Sequence, residues 1–236
     1  NEVKISESDL RDIDWCSYSN RFIVLSRRKV YLMNPLTSQL STIDNVKLND
    51  RREEFVSCSC SEEKIFFIKR QTNPKAFSLE EYNLPTYRFV RKFQLLDFIG
   101  TSLLIHNGFS SATDLQQIAS VRYYQGKLAI IMEMSSKWFI CVFNLGEHLS
   151  FLTKIPLSEK SRLTTISPIN QWIIFKDYPS NSFVQTSISF ESNQLNQFLD
   201  YSTGIIDFNG KLQSVAVWGM SNLVFLVDYA LVVYKL

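Results

Sequence analysis

"EEFVSCSCSEEKIFFIKR", residues 53–70, holds two of the chain's four cysteines, Cys58 and Cys60, one serine apart. That spacing admits a metal clamp, a redox pair, or two small residues in a strand. The flanking residues favour the third. Residues 55–60 read as an alternating strand, "SEEK" as a polar turn, and "IFFI" as a short continuous apolar run. Strand, turn and a strand buried on both faces is the simplest account of that order. Alternate side chains of one extended strand stand parallel and too far apart to bridge, so Cys58 and Cys60 do not pair with each other.

The pattern recurs. "IDWCSYSNRFIVL" begins at Ile13, "FVSCSCSEEKIFFI" at Phe55 and "IASVRYYQGKLAII" at Ile118. "LTTISPINQWIIF" begins at Leu163 and "SVAVWGMSNLVFL" at Ser214, so the starts lie 42, 63, 45 and 51 positions apart. A third strand follows each: "KVYLMNP", "SLEEYNLP", "WFICVFNLG", "FVQTSISF" and "ALVVYKL". Asn, Pro and Gly close the first three of these strands with turn chemistry. A fourth strand, "QLSTI", "YRFVRKF" or "SFLTKIPL", follows in the first three repeats. Four short strands per 40–45 residues is the signature of a β-propeller blade.

The expectation is therefore an all-β, single-domain propeller over residues 1–236, with five visible blades. Residues 95–114 are left over as an insertion or a degenerate sixth blade, and "DYSTGIIDFNGKLQ" is ambiguous. The last repeat stops at its third strand, and an N-terminal strand such as "NEVKIS" can supply its fourth and close the ring. A β-sandwich is the rival architecture, but sandwich strands show no in-phase repeat.

Composition narrows the function. The chain of 236 residues is 45% hydrophobic and 14% aromatic, which excludes disorder. A net charge of +2 is no nucleic-acid footprint. Apolar runs such as "LAIIM" are far shorter than the roughly 20 residues of a membrane span. The polar N-terminus is no signal peptide, and the missing starting Met points to a segment of a longer protein. Four scattered cysteines suit free thiols in a reducing, cytoplasmic setting.

No motif for chemistry stands out. A zinc site needs a second ligand pair beside Cys58 and Cys60, and His106 and His148 lie in unrelated segments. There is no nucleophile elbow and no phosphate loop, so neither a metal nor a cofactor is expected. The acid pairs Glu53-Glu54, Glu62-Glu63 and Glu80-Glu81 read as solvated residues flanking apolar strands. Trp15, Arg122 and Trp218 fall on first strands and are expected to line the central channel. The aligned first-strand positions contain no acid and no His, which argues against a propeller enzyme. Near the loops of one face fall Arg27, Arg28, Arg51, Arg52, Arg70, Lys75, Lys137, Lys160 and Arg162, with Trp138, Tyr178 and Phe183. Cations interleaved with aromatics suit protein or peptide recognition.

The stretches "NRFIVLSRRKVYLMNPLT" and "QGKLAIIMEMSSKWFICVFNL" resemble propeller repeats of the WD40 and NHL type. The layout resembles the C-terminal propellers of B-box, TRIM-like proteins. "VYLMNPLT" and "VRYYQGKLAII" are similar to turns and strand pairs of F-box-associated propellers. The resemblance implies a non-catalytic recognition head in an adaptor or ubiquitin-ligase-like protein. A hydrolase or lyase with a channel-mouth site, and a single-stranded RNA binder, are the alternatives. The opening cysteines fit the same frame. Cys58 aligns with Cys16, Val121, Ile166 and Val217, so Cys16 and Cys58 are expected to be buried as small apolar residues.

Overall fold

A computed structural model describes residues 2–4, 7, 9–95, 115–157, 161–166, 171–176, 182–187, 201–205, 212–219, 222–228 and 230–235. Every regular element among them is a β-strand. The first is β1, Glu2–Lys4. Then come β2 Leu10–Cys16, β3 Arg21–Ser26, β4 Val30–Met33 and β5 Leu40–Thr42. The next four are β6 Glu53–Cys60, β7 Lys64–Thr72, β8 Lys75–Asn83 and β9 Arg88–Gln94. They are followed by β10 Leu115–Tyr124, β11 Lys127–Met134, β12 Lys137–Leu145 and β13 Leu149–Pro156. The chain continues through β14 Ser161–Ile166, β15 Gln171–Lys176, β16 Ser182–Ser187 and β17 Tyr201–Ile205. It ends with β18 Leu212–Trp218, β19 Asn222–Val227 and β20 Ala230–Lys235.

These strands form four-stranded antiparallel meanders: β2–β5, β6–β9, β10–β13, β14–β17, and β18–β20 with β1 added at the outer edge. β1 pairs with β20 through Glu2↔Val232, Val3↔Leu231 and Lys4↔Ala230, so the chain's first strand completes its last sheet. The first strands β2, β6, β10, β14 and β18 touch in sequence, and β18 returns to β2. This is an all-β propeller arrangement. Residues 96–114, which carry nearly all of the expected insertion or extra blade, lie outside the described residues. The ambiguous "DYSTGI" contains β17. Among the described residues no helix is long and apolar enough to cross a membrane.

The apolar second strands explain the ring. In β7, Ile65 and Phe67 pack towards β2–β4 with Cys16, Ile23 and Leu25. Phe66 and Ile68 point the other way, into β10–β12 with Val121, Ile130 and Cys141. Alternation therefore feeds two neighbouring sheets from one strand, which is why the run is continuously apolar. Each such residue, buried from water, is worth about 1.5–3 kcal/mol. The turn at Gln125-Gly126 has both residues at positive φ, 44° and 77°, the tight hairpin geometry that Gly tolerates best.

Register revises the repeat alignment. Each first strand has a shift near its start, and the residue after it pairs with the fifth residue of the next strand. The pairs are Asp12↔Leu25, Ser57↔Ile68, Ser120↔Ile131, Leu163↔Phe175 and Ser214↔Leu226. Cys58 is thus matched by Ile13, Val121, Thr164 and Val215, not by Cys16, Ile166 or Val217. The bulges and hairpin turns of unequal length displaced the linear alignment. Burial of both Cys16 and Cys58 nevertheless holds.

Candidate functional site

The inner faces of the first strands meet on the axis, and Asp12 and Arg122 fill it. Arg122 Nη2 lies 2.9 Å from Asp12 Oδ1 and Nη1 lies 3.0 Å from Oδ2, a bidentate pair with both side chains 2% exposed. Arg122 Nη1 also donates to the carbonyls of Cys58 at 2.9 Å and Val121 at 2.7 Å. Its Nη2 donates to those of Ile13 at 3.3 Å and Val215 at 3.2 Å. One guanidinium therefore ties β2, β6, β10 and β18 together. Burial opposes its charge, but the Asp12 carboxylate outweighs that and holds the Arg122 pKa above its usual value.

Short polar side chains lace the same strands. Asp12 Oδ2 accepts from the Cys58 N–H at 2.9 Å and from the Ser57 hydroxyl, and Oδ1 from the Ser214 hydroxyl. Ser57 Oγ accepts from the Val121 N–H at 2.9 Å, and Ser214 Oγ from that of Ile13 at 3.3 Å. One layer along, Asp14 Oδ2 accepts from the Cys60 N–H at 2.8 Å and Ser59 Oγ from that of Tyr123 at 2.8 Å. Adjacent first strands thus satisfy their inward backbone through each other's side chains. Burial raises the Asp14 carboxyl, with Arg122 and the Cys60 N–H opposing.

Two acids therefore sit on the axis, contrary to the expectation of none. Displaced alignment of the first repeat hid them. The signal was present as small polar residues at alternate positions: Asp12 and Asp14, Ser57 and Ser59, Ser120 and Arg122. Arg122 does line the channel as expected. Trp15 and Trp218 do not: they pack between the first and last sheets, 6.0 Å apart, with Trp15 edge-on to Phe22 at 4.8 Å.

The expected basic face lies where the first strands begin. There Arg27 Nε meets Glu54 Oε2 at 2.7 Å, and Arg70 also pairs with Glu54, whose side chain is 5% exposed. Arg28 donates to the carbonyls of Arg51, at 3.0 Å, and Glu53. Arg52 pairs with Asp50 at 2.7 Å. Arg51, Lys75 and Lys137 are exposed. Arg70 and Trp138 come together at a cavity of about 140 Å³ shared with Arg11, Glu54 and Gln117. Trp138 itself is buried against Ile140 and Ile155. Tyr178 and Lys160 lie outside the described residues, as do the side chains of Arg162 and Phe183.

The reading of the acid pairs is corrected at two of three places. Glu53 and Glu54 are buried beside the arginines, as are Glu80 and Glu81 in the second sheet. Glu80 meets Lys69 at 2.6 Å, both nearly inaccessible, and Glu81 meets Lys64 and Arg91 at 2.7 Å each. Strand alternation buries Glu80 towards the first sheet and Glu81 towards the third, so each needed its own cation. Glu62 and Glu63 are exposed as expected.

They are also at the rim of the larger opening, at the end where the first strands finish. A cavity of about 570 Å³ is bounded by Ser17, Cys60, Glu62, Glu63, Tyr123 and Tyr124, among others. Tyr123 is stacked on Phe66, with centroids 5.1 Å apart and planes at 22°, and its hydroxyl accepts the Gly126 N–H at 3.0 Å. The platform is therefore fixed before any partner arrives. Tyr18 stands nearby in the first hairpin turn, 53% exposed. Charge counting drew attention to the opposite end and passed over these residues.

No family model and no curated protein matches the chain. Solved structures do. A chain of the mitotic checkpoint complex aligns with a TM-score of 0.52 at 12% identity, covering 100% of this chain and 93% of that one. The allergen Mala s 1 of Malassezia sympodialis gives 0.59 at 13%, covering 100% and 78%. A protein assigned as an oxidoreductase (glucose dehydrogenase) from Thermus thermophilus gives 0.57 at 8%, covering 100% and 99%. At these identities the likeness is one of fold, shared by binding proteins and enzymes alike.

Proposed function

We propose that this propeller is a non-catalytic module that binds a protein or peptide partner, as the recognition part of an adaptor. It takes a basic segment of that partner at the end where the first strands finish. The carrying observation is the cavity rimmed by Glu62 and Glu63 beside the fixed Tyr123–Phe66 stack. Neither glutamate has an ion-pair partner among the described residues, whereas the arginines of the other end are largely committed to carboxylates and carbonyls. A lysine or arginine can place its cation at the glutamates and its stem or guanidinium plane against a tyrosine.

Asp12 on the axis supports the non-catalytic reading. Both Asp12 oxygens already accept from Arg122, from a hydroxyl and from a backbone N–H, which leaves no lone pair aimed at a substrate. The mitotic checkpoint complex gives support only at the level of class, as a propeller working within a protein assembly.

A peptide array of varied charge, read by fluorescence anisotropy, tests this. Lys- and Arg-rich peptides should bind, and Glu62→Lys with Glu63→Lys should weaken binding at least about tenfold. Preference for acidic peptides, or indifference to the double substitution, overturns it. Tight, steeply salt-dependent binding of single-stranded RNA would favour the nucleic-acid alternative instead.

A further inference from the structure

The smaller cavity, of about 140 Å³, lies at the other end of the axis, where the first strands begin. β2, β6, β10 and β18 each carry a register shift there. Each shift leaves one residue out of the ladder: Arg11, Val56, Ala119 and Gln213. All four of these residues line the cavity. Arg162 holds the same register position in β14. A bulge re-aims a side chain out of the regular pleat, and here four first strands re-aim theirs at one place. Asp12 follows Arg11 directly in β2, so the filled axis lies beneath the cavity.

The polar wall is rich in donors. Arg11 Nη2 meets Asp9 Oδ1 at 3.1 Å, but both side chains are exposed and water weakens the pair. Arg70 pairs with Glu54 through Nη2. The Nε of each arginine is buried and has no hydrogen-bond partner among the described residues. Glu54 shares the wall, but Arg27 and Arg70 already face its two oxygens. Gln117 and Gln213 add side-chain amides, and Trp138 adds an apolar surface. A buried N–H without an acceptor is costly, and two in one cavity ask for an anion.

We infer that this cavity is a carboxylate-binding site. The group it takes is one carboxylate, on a small free acid or on the side chain of a peptide Asp or Glu. A carboxylate presents two oxygens in a plane, the shape that guanidinium N–H groups match, so Arg11 and Arg70 can share it. The glutamine amides then serve its remaining lone pairs. Charge favours a monoanion: two arginines against the single carboxylate of Glu54 leave one positive charge in the wall. A dianion such as phosphate would keep an uncompensated charge beside Glu54. This site is opposite in sign and in position to the Glu62–Glu63 cavity, so it goes beyond the basic-segment reading.

The test is the melting temperature followed against sodium acetate, with sodium chloride at matched ionic strength as the reference. A second arm uses acetyl-Ala-Glu-Ala-amide beside its Gln counterpart. Acetate or the Glu peptide should raise the melting temperature saturably, with a millimolar midpoint. The tighter of the two tells a free acid from a peptide side chain. Arg11→Gln should weaken that binding at least about tenfold. It should fold, because it removes only an exposed ion pair. Gln213→Ala should weaken binding less, and Arg52→Ala should leave it intact. No saturable rise with either ligand, an equal rise with chloride, tighter binding of sulfate, or binding that survives Arg11→Gln overturns the inference. Neither ligand carries a cation, and Glu62→Lys with Glu63→Lys should leave their binding unchanged, so this result and that of the basic-segment reading are separable.

Discussion

Two Arg–Asp pairs in this molecule have opposite consequences. On the axis, Arg122 and Asp12 meet at 2.9 Å with both side chains 2% exposed. At the basic rim, Arg52 and Asp50 meet at 2.7 Å with side chains 57% and 35% exposed. The shorter pair is the weaker one. Water already solvates Arg52 and Asp50, so their attraction replaces hydration of nearly equal worth. Nothing solvates Arg122 but protein, so losing any partner strands a charge. Between them stands Glu81, itself inaccessible but paired with cations that are 37% and 27% exposed. Distance ranks these pairs wrongly; burial ranks them in order.

Substitutions should reproduce that ranking. The largest effect is expected for Asp12→Asn, which leaves Arg122 uncompensated and should cost about 3–5 kcal/mol in urea denaturation. Arg122→Met should cost a comparable amount, because Asp12 and four backbone carbonyls lose their donor. Glu81→Gln should cost less, about 2 kcal/mol, since Lys64 and Arg91 can turn to water. Arg52→Ala should leave the melting temperature unchanged. A rim substitution as damaging as an axial one would break the comparison.

A smaller, pH-dependent effect sharpens it. Cys16 titrates near 6 in the folded chain against a usual 9.0. Its stabilisation is present above pH 9 and is lost as the pH falls through about 6. Stability of the reduced protein should therefore decline from pH 9 to 6, and Cys16→Ser should flatten that slope. An unaltered slope would show that Cys16 carries no charge at neutral pH.

The fold was legible because alternation, turn residues and an apolar second strand recur together in each repeat. The start points at 13, 55, 118, 163 and 214 all fall inside observed first strands, two or three residues past their beginnings. Finer placement was not legible. A bulge costs one residue and a hairpin turn varies by one or two, and either moves an inward side chain to another layer. That is how Asp12 and Asp14 escaped notice and how Trp15 and Trp218 were sent to the channel. The pairing of the basic residues was not legible for another reason: charge can be counted from a sequence, but the partner that neutralises it cannot. Arg27 lies 27 positions from Glu54 and in another sheet, whereas Arg70 stands directly opposite Glu54 across the β6–β7 hairpin.

The hub at Arg122 also dictates the order in which the chain can assemble. Asp12 and Ser214, both bound to its guanidinium, are 202 positions apart in sequence. Until β18 arrives, Arg122 lacks part of its cage, and drying it out early would cost more than it gains. Each meander can form alone from local contacts, but the axis must stay wet until the first and last sheets meet. Folding should then be slow for its size, limited by that final meeting rather than by the hairpins.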